Sequence, residues 1–300
     1  MSALLAATDL DRTLIYSRAA WARPDPAPGA DPTDGLLCVE KLDGAPLSYL
    51  TRRAGELIER LREVAVLVPV TTRTEAQFAR VALPGGPTRY AITTNGARLL
   101  VDGAADPDWT AAVARRTADG CAPLTEVAAM LAALPPQWLL RVRDAQQAFC
   151  YAILDRAAAP ADELEQVRGW CAERGWTASV QGRKLYCVPE PLTKTAAVQE
   201  VARRAGTSTV AAAGDSLLDA GMLAAADVAI RPAHGELHAA GWTQPGLRIA
   251  AEGVRGGEQI VGWLLEQAQA VAAGEPPDQP ARSRATIAAA PARTAASSSR

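Results

Sequence analysis

Short apolar runs alternate with stretches of helical spacing at both ends of the chain. The runs predict strands, and the apolar positions repeated three and four residues apart predict helices between them. Strands are expected at 4–8, 64–70, 90–94, 209–213 and 227–230, with helices at 51–63, 75–82, 194–205 and 257–272 and one more ending at Ala225. Alternation of this kind is typical of a parallel sheet covered by helices, so the fold class expected is α/β.

The middle of the chain follows a different pattern, in which helices are followed by pairs of strands. Helices are expected at 108–118, 123–134 and 161–173, and strands at 138–143, 149–154, 176–181 and 184–188. This order predicts a small antiparallel sheet with helices on one face. We therefore divide the chain into a discontinuous core domain, residues 1–96 and 188–272, and an inserted α+β domain, residues 97–187.

Three further segments do not belong to either repeated pattern. Residues 19–35 are rich in Pro, Gly, Asp and Ala and are expected to form a loop. Residues 36–50 carry Asp43-Gly44 between two apolar runs, which predicts a β-hairpin. The hairpin is either a flap over a site or a surface excursion without a role, and the sequence leaves both open. Residues 273–300 hold almost no large apolar side chain, so a disordered tail is expected.

Composition narrows the classes of function. The net charge is 31 minus 33, or −2, which provides no general attraction to nucleic acid or to an anionic membrane. No apolar run is long enough to span a membrane, and no basic segment precedes the first apolar run. Five scattered cysteines without a C-x-x-C pair favour neither a disulfide framework nor a zinc site. A cytoplasmic location is expected.

Polar side chains of complementary chemistry occur where strands end. They are Asp9 and Asp11, Thr71, Lys194, and Asp215 with Asp219. Carboxylate oxygens suit Mg²⁺, which keeps several of its waters when it binds to proteins. A lysine and a hydroxyl can stabilise phosphoryl oxygens, one carboxylate can attack phosphorus, and another can transfer the proton. The set therefore predicts phosphoryl chemistry with Mg²⁺ as cofactor.

In kind and order, these residues resemble the four motifs of the haloacid-dehalogenase-like (HAD) hydrolase superfamily. Asp9-Leu10-Asp11-Arg12-Thr13 resembles the first motif, Thr71 the second, Lys194 the third, and Gly214-Asp215-Ser216-Leu217-Leu218-Asp219 the fourth. The resemblance implies a Rossmann-like core, a nucleophile at Asp9 and a general acid/base at Asp11. It also implies that Thr71 and Lys194 bind phosphate. The implied metal ligands are Asp9, the backbone carbonyl of Asp11, and Asp215, with Asp219 as a further ligand or a support for one.

The position of the insertion, between the second and third motifs, resembles the type IIB cap. Within that group the chain looks most like the sucrose-phosphate phosphatase, mannosyl-phosphoglycerate phosphatase and Cof-type branch, whose Asn-Gly segment is matched by Asn95-Gly96. The family commonly has glycine where Arg12 stands, and we expect Arg12 to adopt a backbone conformation usual for L-residues. Candidate substrate contacts are Arg12, Asn95, Arg141, Arg143, Arg183 and Lys184.

The function implied is a Mg²⁺-dependent phosphomonoester hydrolase that acts through an aspartyl-phosphate on a small phosphorylated metabolite, with a sugar phosphate as one candidate. Two alternatives stay open: a phosphosugar mutase, and a catalytically silent module that binds a phosphorylated ligand. Clustered carboxylates argue against the silent module, because holding like charges together is costly for a protein that only binds. The substrate and the oligomeric state are left undetermined.

Overall fold

The computed structural model of the protein describes residues 4–22 and 31–277. The strands in these residues are β1 (Leu4–Thr8), β2 (Tyr16–Ser17), β3 (Leu36–Leu42), β4 (Ala45–Thr51), β5 (Ala65–Pro69), β6 (Tyr90–Thr93), β7 (Arg98–Val101), β8 (Ala104–Ala105), β9 (Leu139–Ala145), β10 (Phe149–Leu154), β11 (Trp176–Gln181), β12 (Lys184–Pro189), β13 (Thr209–Ala213), β14 (Val228–Pro232) and β15 (Arg248–Ala250). The α-helices are α1 (Arg52–Val64), α2 (Glu75–Phe78), α3 (Pro107–Gly120), α4 (Leu124–Ala132), α5 (Ala161–Ala172), α6 (Lys194–Ala205), α7 (Ala220–Ala225), α8 (Gly235–Ala239) and α9 (Gly253–Ala272).

A five-stranded parallel sheet in the order β15-β14-β13-β1-β5 forms the centre of the core. Strand β1 lies inside this sheet, and its last residue, Thr8, is in register with Ala213 of β13 and with Pro69 of β5. The residues that follow these three strands therefore emerge at one edge of the sheet. Val70 forms a parallel bridge to Ile92, which brings β6 alongside β5.

Both faces of the central sheet are buried, as its apolar strands require. Leu4 and Ala6 of β1 belong to the apolar cluster that contains the buried side chains of α1 and α9. Leu5 and Ala7 belong to the cluster that contains those of α6 and α7. The alternation follows from the two-residue period of a strand. The α/β class predicted from the sequence is confirmed.

The inserted segment contains a four-stranded antiparallel sheet in the order β11-β12-β10-β9. Val127 and Leu131 of α4 and Leu164 and Val167 of α5 are buried in the apolar cluster that also contains the inward residues of this sheet. The opposite face presents polar side chains, including Lys184 and Ser179. The predicted order of helices and paired strands is confirmed, and we call this α+β unit the cap.

The domain bounds stay a prediction, and the pairing of β7 bears on them. Strand β7 is antiparallel to β6, and β8 continues the same small sheet. Residues 98–105 thus extend the core strand β6, although the sequence prediction assigned them to the insertion that begins at residue 97. The short strand β15 and helix α8 were not predicted.

Two predicted helices differ in length from those observed. The helix predicted at 75–82 ends at Phe78, because Val81 bridges to Glu40 and the Ala82 amide donates to the Val39 carbonyl. The helix predicted at 257–272 begins earlier, at Gly253. The two glycines at 256 and 257 have low helix propensity, so the sequence does not predict this first turn. In the folded chain tertiary packing outweighs that propensity.

The hairpin predicted at 36–50 is confirmed as β3 and β4, with Asp43 and Gly44 both at positive φ in the turn. Of the predicted loop 19–35, residues 23–30 lie outside the described residues; of the predicted tail 273–300, so do residues 278–300. The described cysteines are free thiols. Within the described ranges, no helix combines the length and apolar character needed to cross a membrane.

Candidate active site

The polar residues at the strand ends meet at one edge of the central sheet. Asp9 follows β1, Thr71 follows β5, and Asp215 follows β13. Lys194 begins α6, and its Nζ donates to Asp9 Oδ1 at 2.6 Å and to Asp219 Oδ1 at 2.5 Å. Residues from three distant parts of the chain, around Asp9, Lys194 and Asp215, thus form one cluster.

Lys194 is completely enclosed, with 1 % of its surface exposed. Helix α6 begins at this lysine because the hydroxyl of Thr193 caps it by accepting from the Ala196 amide. Gly96 permits the close approach of the neighbouring loop: its φ is +103°, and a Cβ there would lie 2.5 Å from the Thr193 carbonyl oxygen. The Asn95-Gly96 turn therefore packs directly against the start of the helix that carries the lysine.

Asp215 and Asp219 have different surroundings. Both oxygens of Asp219 are engaged, Oδ1 by Lys194 and Oδ2 by the amide and hydroxyl of Ser216 at 2.9 and 2.8 Å. Gly214 makes this possible, since a Cβ there would lie 2.5 Å from Asp219 Cγ. Asp215 is buried, and Arg12 Nε lies 3.4 Å from its Oδ2. Asp219 therefore supports the site, and Asp215 is better placed to accept a cation.

The described residues hold one group of acids with the geometry of a metal site. One carboxylate oxygen each from Asp9, Asp215 and Asp219 lies within 4.8 Å of the others. The carboxylate of Asp11 is not part of this group and accepts from Arg73 instead, and the ligand role predicted for the Asp11 backbone carbonyl stays a prediction. Hard carboxylate oxygens in this number suit Mg²⁺ with its remaining waters. The donor set thus fits the predicted metal.

The electrostatics of the cluster also favour a cation. Burial, opposed by Lys194 and reinforced by Asp219, raises the pKa of Asp9 to about 7. Burial and the charge of Asp9 raise the pKa of Asp215 well above its usual range. The pKa of Lys194 is raised despite its burial, because Asp219 and Asp9 favour its charged form. One lysine does not balance three buried carboxylates, so a divalent ion would lower the cost of ionising them.

The carboxylate of Asp11 binds Arg73, a residue that the sequence prediction did not include among the site residues. Arg73 donates from Nε to Asp11 Oδ2 and from Nη2 to Asp11 Oδ1, both at 2.7 Å. The same guanidinium donates from Nη1 to Glu40 Oε1 at 2.8 Å. Burial acts to raise the pKa of Asp11, but the hydrogen bonds and charge of Arg73 outweigh it and lower the pKa. Arg73 follows Thr71-Thr72, and this spacing was the available signal.

Thr71 and Thr72 face different surroundings. Thr71 is buried, and its Oγ1 accepts from the Arg73 amide at 3.1 Å. Thr72 lines a cleft between the core and the cap, which Asp9 and Asp215 also line. The phosphate-binding role predicted for Thr71 stays a prediction, and Thr72 joins it as a candidate.

Arg12 adopts a backbone conformation that corrects the sequence expectation. Its φ is 63°, in the left-handed region that favours glycine, rather than a conformation usual for L-residues. His234 stabilises this turn: its Nδ1 accepts from the Gly253 amide at 3.0 Å, so its Nε2 carries the proton and donates to the Arg12 carbonyl at 2.7 Å. Arg12 itself lines the cleft, as a substrate contact would require.

The remaining candidate substrate contacts lie in three different surroundings. Arg183 and Lys184, on the turn before β12 and at its start, line a cleft of about 830 Å³ that Asp9, Asp11 and Asp215 also line. Arg141 and Arg143 are exposed on the edge strand β9 and do not line that cleft. Asn95 is buried, and its Nδ2 donates to the Leu192 carbonyl, so its role in the structure is to join two core loops. The alternation of β9 predicted a shared face for the two arginines but not its distance from the core.

The cap is held against the core on both sides of the cleft. Ser179 of β11 donates to Glu236 of α8 at 3.1 Å. On the other side, Gln146 of the β9–β10 turn donates to Glu75 and accepts from the Thr94 hydroxyl. The cleft is therefore bounded by the sheet edge below and by the polar face of the cap sheet above.

Comparison with solved structures identifies the fold. The sucrose-phosphatase of Synechocystis sp. PCC6803, solved in complex with sucrose and phosphate, is 13 % identical and aligns over 88 % of this chain and 98 % of its own, with a TM-score of 0.57. The HAD-superfamily phosphatase BT1666 of Bacteroides thetaiotaomicron is 12 % identical over 88 % of this chain and 95 % of its own, and the HAD subclass IIB sugar phosphatase BT4131 is 12 % identical over 86 % and 98 %; both have a TM-score of 0.51.

No family model and no curated protein sequence matches the chain. The structural comparisons show that the chain has the fold of HAD phosphatases, including those of subclass IIB, as its motifs predicted.

Proposed function

We propose that the protein is a Mg²⁺-dependent phosphomonoester hydrolase acting on a small phosphorylated metabolite. The observation that carries the proposal is the position of Asp9: it follows the central strand, lines the cleft, binds Lys194, and lies beside Asp215. A nucleophile for phosphorus needs this combination of a carboxylate that lines the substrate cleft and nearby positive charge. The phosphatases that share the fold support the same reaction.

In this proposal Asp9 attacks the phosphorus atom and forms an aspartyl-phosphate, while the bond from phosphorus to the leaving oxygen breaks. Arg73 keeps Asp11 ionised before the reaction, so Asp11 takes a proton from the monoanionic phosphate of the substrate and passes it to that oxygen. It then accepts a proton from the water that hydrolyses the intermediate. Lys194 and Thr71 stabilise the phosphoryl oxygens. Asp9 and Asp215 would hold Mg²⁺, with Asp219 supporting them, and the ion would neutralise part of the phosphate charge.

The lining and the volume of the cleft favour a substrate with a polar, compact leaving group. Its cap side presents Gln181, Arg183 and Lys184, and its volume of about 830 Å³ suits a small metabolite. One structure of the same fold carries sucrose and phosphate, and another is named a sugar phosphatase. A sugar phosphate is therefore the substrate class we propose.

The test is release of inorganic phosphate from a panel of sugar phosphates, nucleotides, glycerate derivatives and an aryl phosphate. We expect release with Mg²⁺ and none with excess chelator. Asp9→Asn should abolish release while the exposed cap change Asp162→Asn leaves it intact. Phosphate transfer that requires an added sugar bisphosphate would identify a mutase instead, and no turnover of any compound would contradict the proposal.

A further inference from the structure

The hairpin of β3 and β4 carries a buried carboxylate that the phosphatase proposal does not use. Glu40, in β3, has 1 % of its surface exposed. Its carboxylate accepts from Ser48 Oγ at 2.6 Å, from Arg73 Nη1 and Nη2 at 2.8 and 3.0 Å, and from Arg80 Nε at 3.2 Å. The cysteine two residues before it donates to its backbone carbonyl. Side chain and backbone of this glutamate are therefore both held in place.

A buried charge with this many partners requires a reason, because burying an ion is costly unless it is fully paired. If the hairpin needed only an anchor, apolar contacts would supply it at a lower cost. Glu40 and Arg73 instead form a buried ion pair, and the Arg73 side chain is 12 % exposed. Such pairs are favourable when they fix one arrangement of charged groups.

The arrangement that the pair fixes is that of Asp11. Arg73 is planar, and it binds Asp11 through Nε and Nη2 and Glu40 through Nη1 and Nη2. The guanidinium cannot turn away from Asp11 without losing its bonds to Glu40. The Asp11 side chain is half-exposed at the cleft, and among the described residues its side-chain hydrogen bonds come from Arg73.

We propose that Glu40 is a positioning residue that acts through Arg73 to hold the carboxylate of Asp11 at the leaving-group side of the cleft. This inference rests on the proposed function, in which Asp11 is the general acid. It gives the hairpin a role that the sequence left open between a flap and a surface excursion. The hairpin reaches the reaction through the proton donor and not through the nucleophile.

The test compares leaving groups in the full-length protein. A nitrophenolate leaves without protonation, whereas the oxygen of a hexose phosphate needs a proton from the general acid. Glu40→Gln should lower kcat/KM for the hexose phosphate at least about tenfold more than kcat/KM for nitrophenyl phosphate. This ratio excludes hydrolysis of the aspartyl-phosphate, a step that both substrates share. Equal losses with both substrates would overturn the proposal, because they would indicate a role in folding alone.

Arg80→Gln is the matched control, because Arg80 binds Glu40 but does not bind Asp11 in the described structure. It should change turnover of the two substrates by the same factor. A leaving-group difference as large as that of Glu40→Gln would also overturn the proposal, since it would assign the effect to anchoring of the hairpin.

A second measurement does not depend on activity, so it separates failure of this inference from failure of the phosphatase proposal. In a double-mutant cycle, Glu40→Gln and Asp11→Asn should shift the melting temperature non-additively, because both remove a partner of Arg73. The cycle of Arg80→Gln with Asp11→Asn should be additive. Additive shifts in the first cycle would contradict the link from Glu40 to Asp11, whatever the enzyme hydrolyses.

Discussion

Lys194 Nζ lies 2.6 Å from Asp9 Oδ1, although 185 positions separate the two residues in the chain. The contact joins the first residue of α6 to the residue after β1, and Asp219 completes it from a third segment. The buried ammonium is the main positive charge that favours ionisation of Asp9, against the effect of burial. It is therefore at once a support for the fold and a candidate group for binding phosphoryl oxygens.

Lys194→Met should destabilise the protein and abolish phosphate release. Loss of the ammonium leaves Asp9 and Asp219 buried without their cation, and breaking a buried pair costs about 3–5 kcal/mol of unfolding free energy. Urea unfolding in the presence of chelator measures the change. Saturating Mg²⁺ should restore part of the loss, because a cation would again lie beside the carboxylates.

The control for Lys194→Met is Arg203→Met on the same helix. The Arg203 side chain is 72 % exposed and pairs with Glu200 at the surface, where ion pairs contribute little to stability. A loss of stability at residue 203 equal to that at residue 194 would show that the helix, and not the buried charge, accounts for the effect.

The convergence of the strand ends could be predicted from the sequence because it depends on short-range patterns. Apolar runs at β1, β5 and β13 ended in acids and hydroxyls, and parallel strands place their carboxyl ends together. Lys194 was predictable from its position at the start of a helix in the third-motif slot. The first of these signals needs only strand period and chain order, whereas the second needs the resemblance to the HAD motifs.

The contacts of Asp11 could not be predicted, because they depend on how the hairpin docks. Nothing in the sequence distinguishes Glu40 from any other acid in a strand. Its contact with Arg73 forms only when the hairpin packs against the core. The same docking ended α2 at Phe78. The cap arginines were ambiguous for a related reason: period two identifies the face of β9, but the distance of an edge strand from the core depends on tertiary packing.

Asp215→Asn should raise the stability of the metal-free protein at neutral to alkaline pH. Burial raises the pKa of Asp215 well above its usual range in the folded state. The pKa of the neighbouring Asp9 is raised from 3.8 to about 7. The folded state therefore binds more protons than the unfolded state across that window, and its stability falls as pH rises. Replacing the acid removes its share of this fall, and we expect a gain of about 0.5–2 kcal/mol.

The measurement is thermal unfolding of both proteins in chelator between pH values of about 5 and 8. Wild type should lose stability with rising pH more steeply than Asp215→Asn, and added Mg²⁺ should stabilise wild type much more than the variant. Parallel pH curves would contradict the assignment of Asp215 as a buried, strained carboxylate. An equal response to Mg²⁺ would contradict its role as a ligand.

Gly235→Ala should weaken the Mg²⁺ site without unfolding the protein. Gly235 has a φ of +86°, and a Cβ there would clash with both Oδ2 and the backbone carbonyl oxygen of Asp215, so the carboxylate and its backbone would have to move. Gly241→Ala is the control, since its φ is +62° but no atom lies within 4 Å of its Cβ position. Both changes should cost about 1 kcal/mol in backbone strain. Only Gly235→Ala should lose the stabilisation by Mg²⁺, and an equal response in the two variants would refute the prediction.

Lys184→Met should lower kcat/KM for the preferred sugar phosphate about 10- to 100-fold, through loss of a charged hydrogen-bond donor from the cap side of the cleft. Lys184 lines the cleft beside Asp11, and its Nζ lies 5.4 Å from the centre of the Tyr151 ring, which limits its freedom.

Arg141→Met is the control, because Arg141 lies on the same sheet face by register but is exposed on the edge strand. Steady-state kinetics with the sugar phosphate and with nitrophenyl phosphate should show a large loss only for Lys184→Met, and a larger one with the sugar. A comparable loss for Arg141→Met would mean that the substrate extends across the cap sheet to β9, beyond the cleft that Asp9 lines.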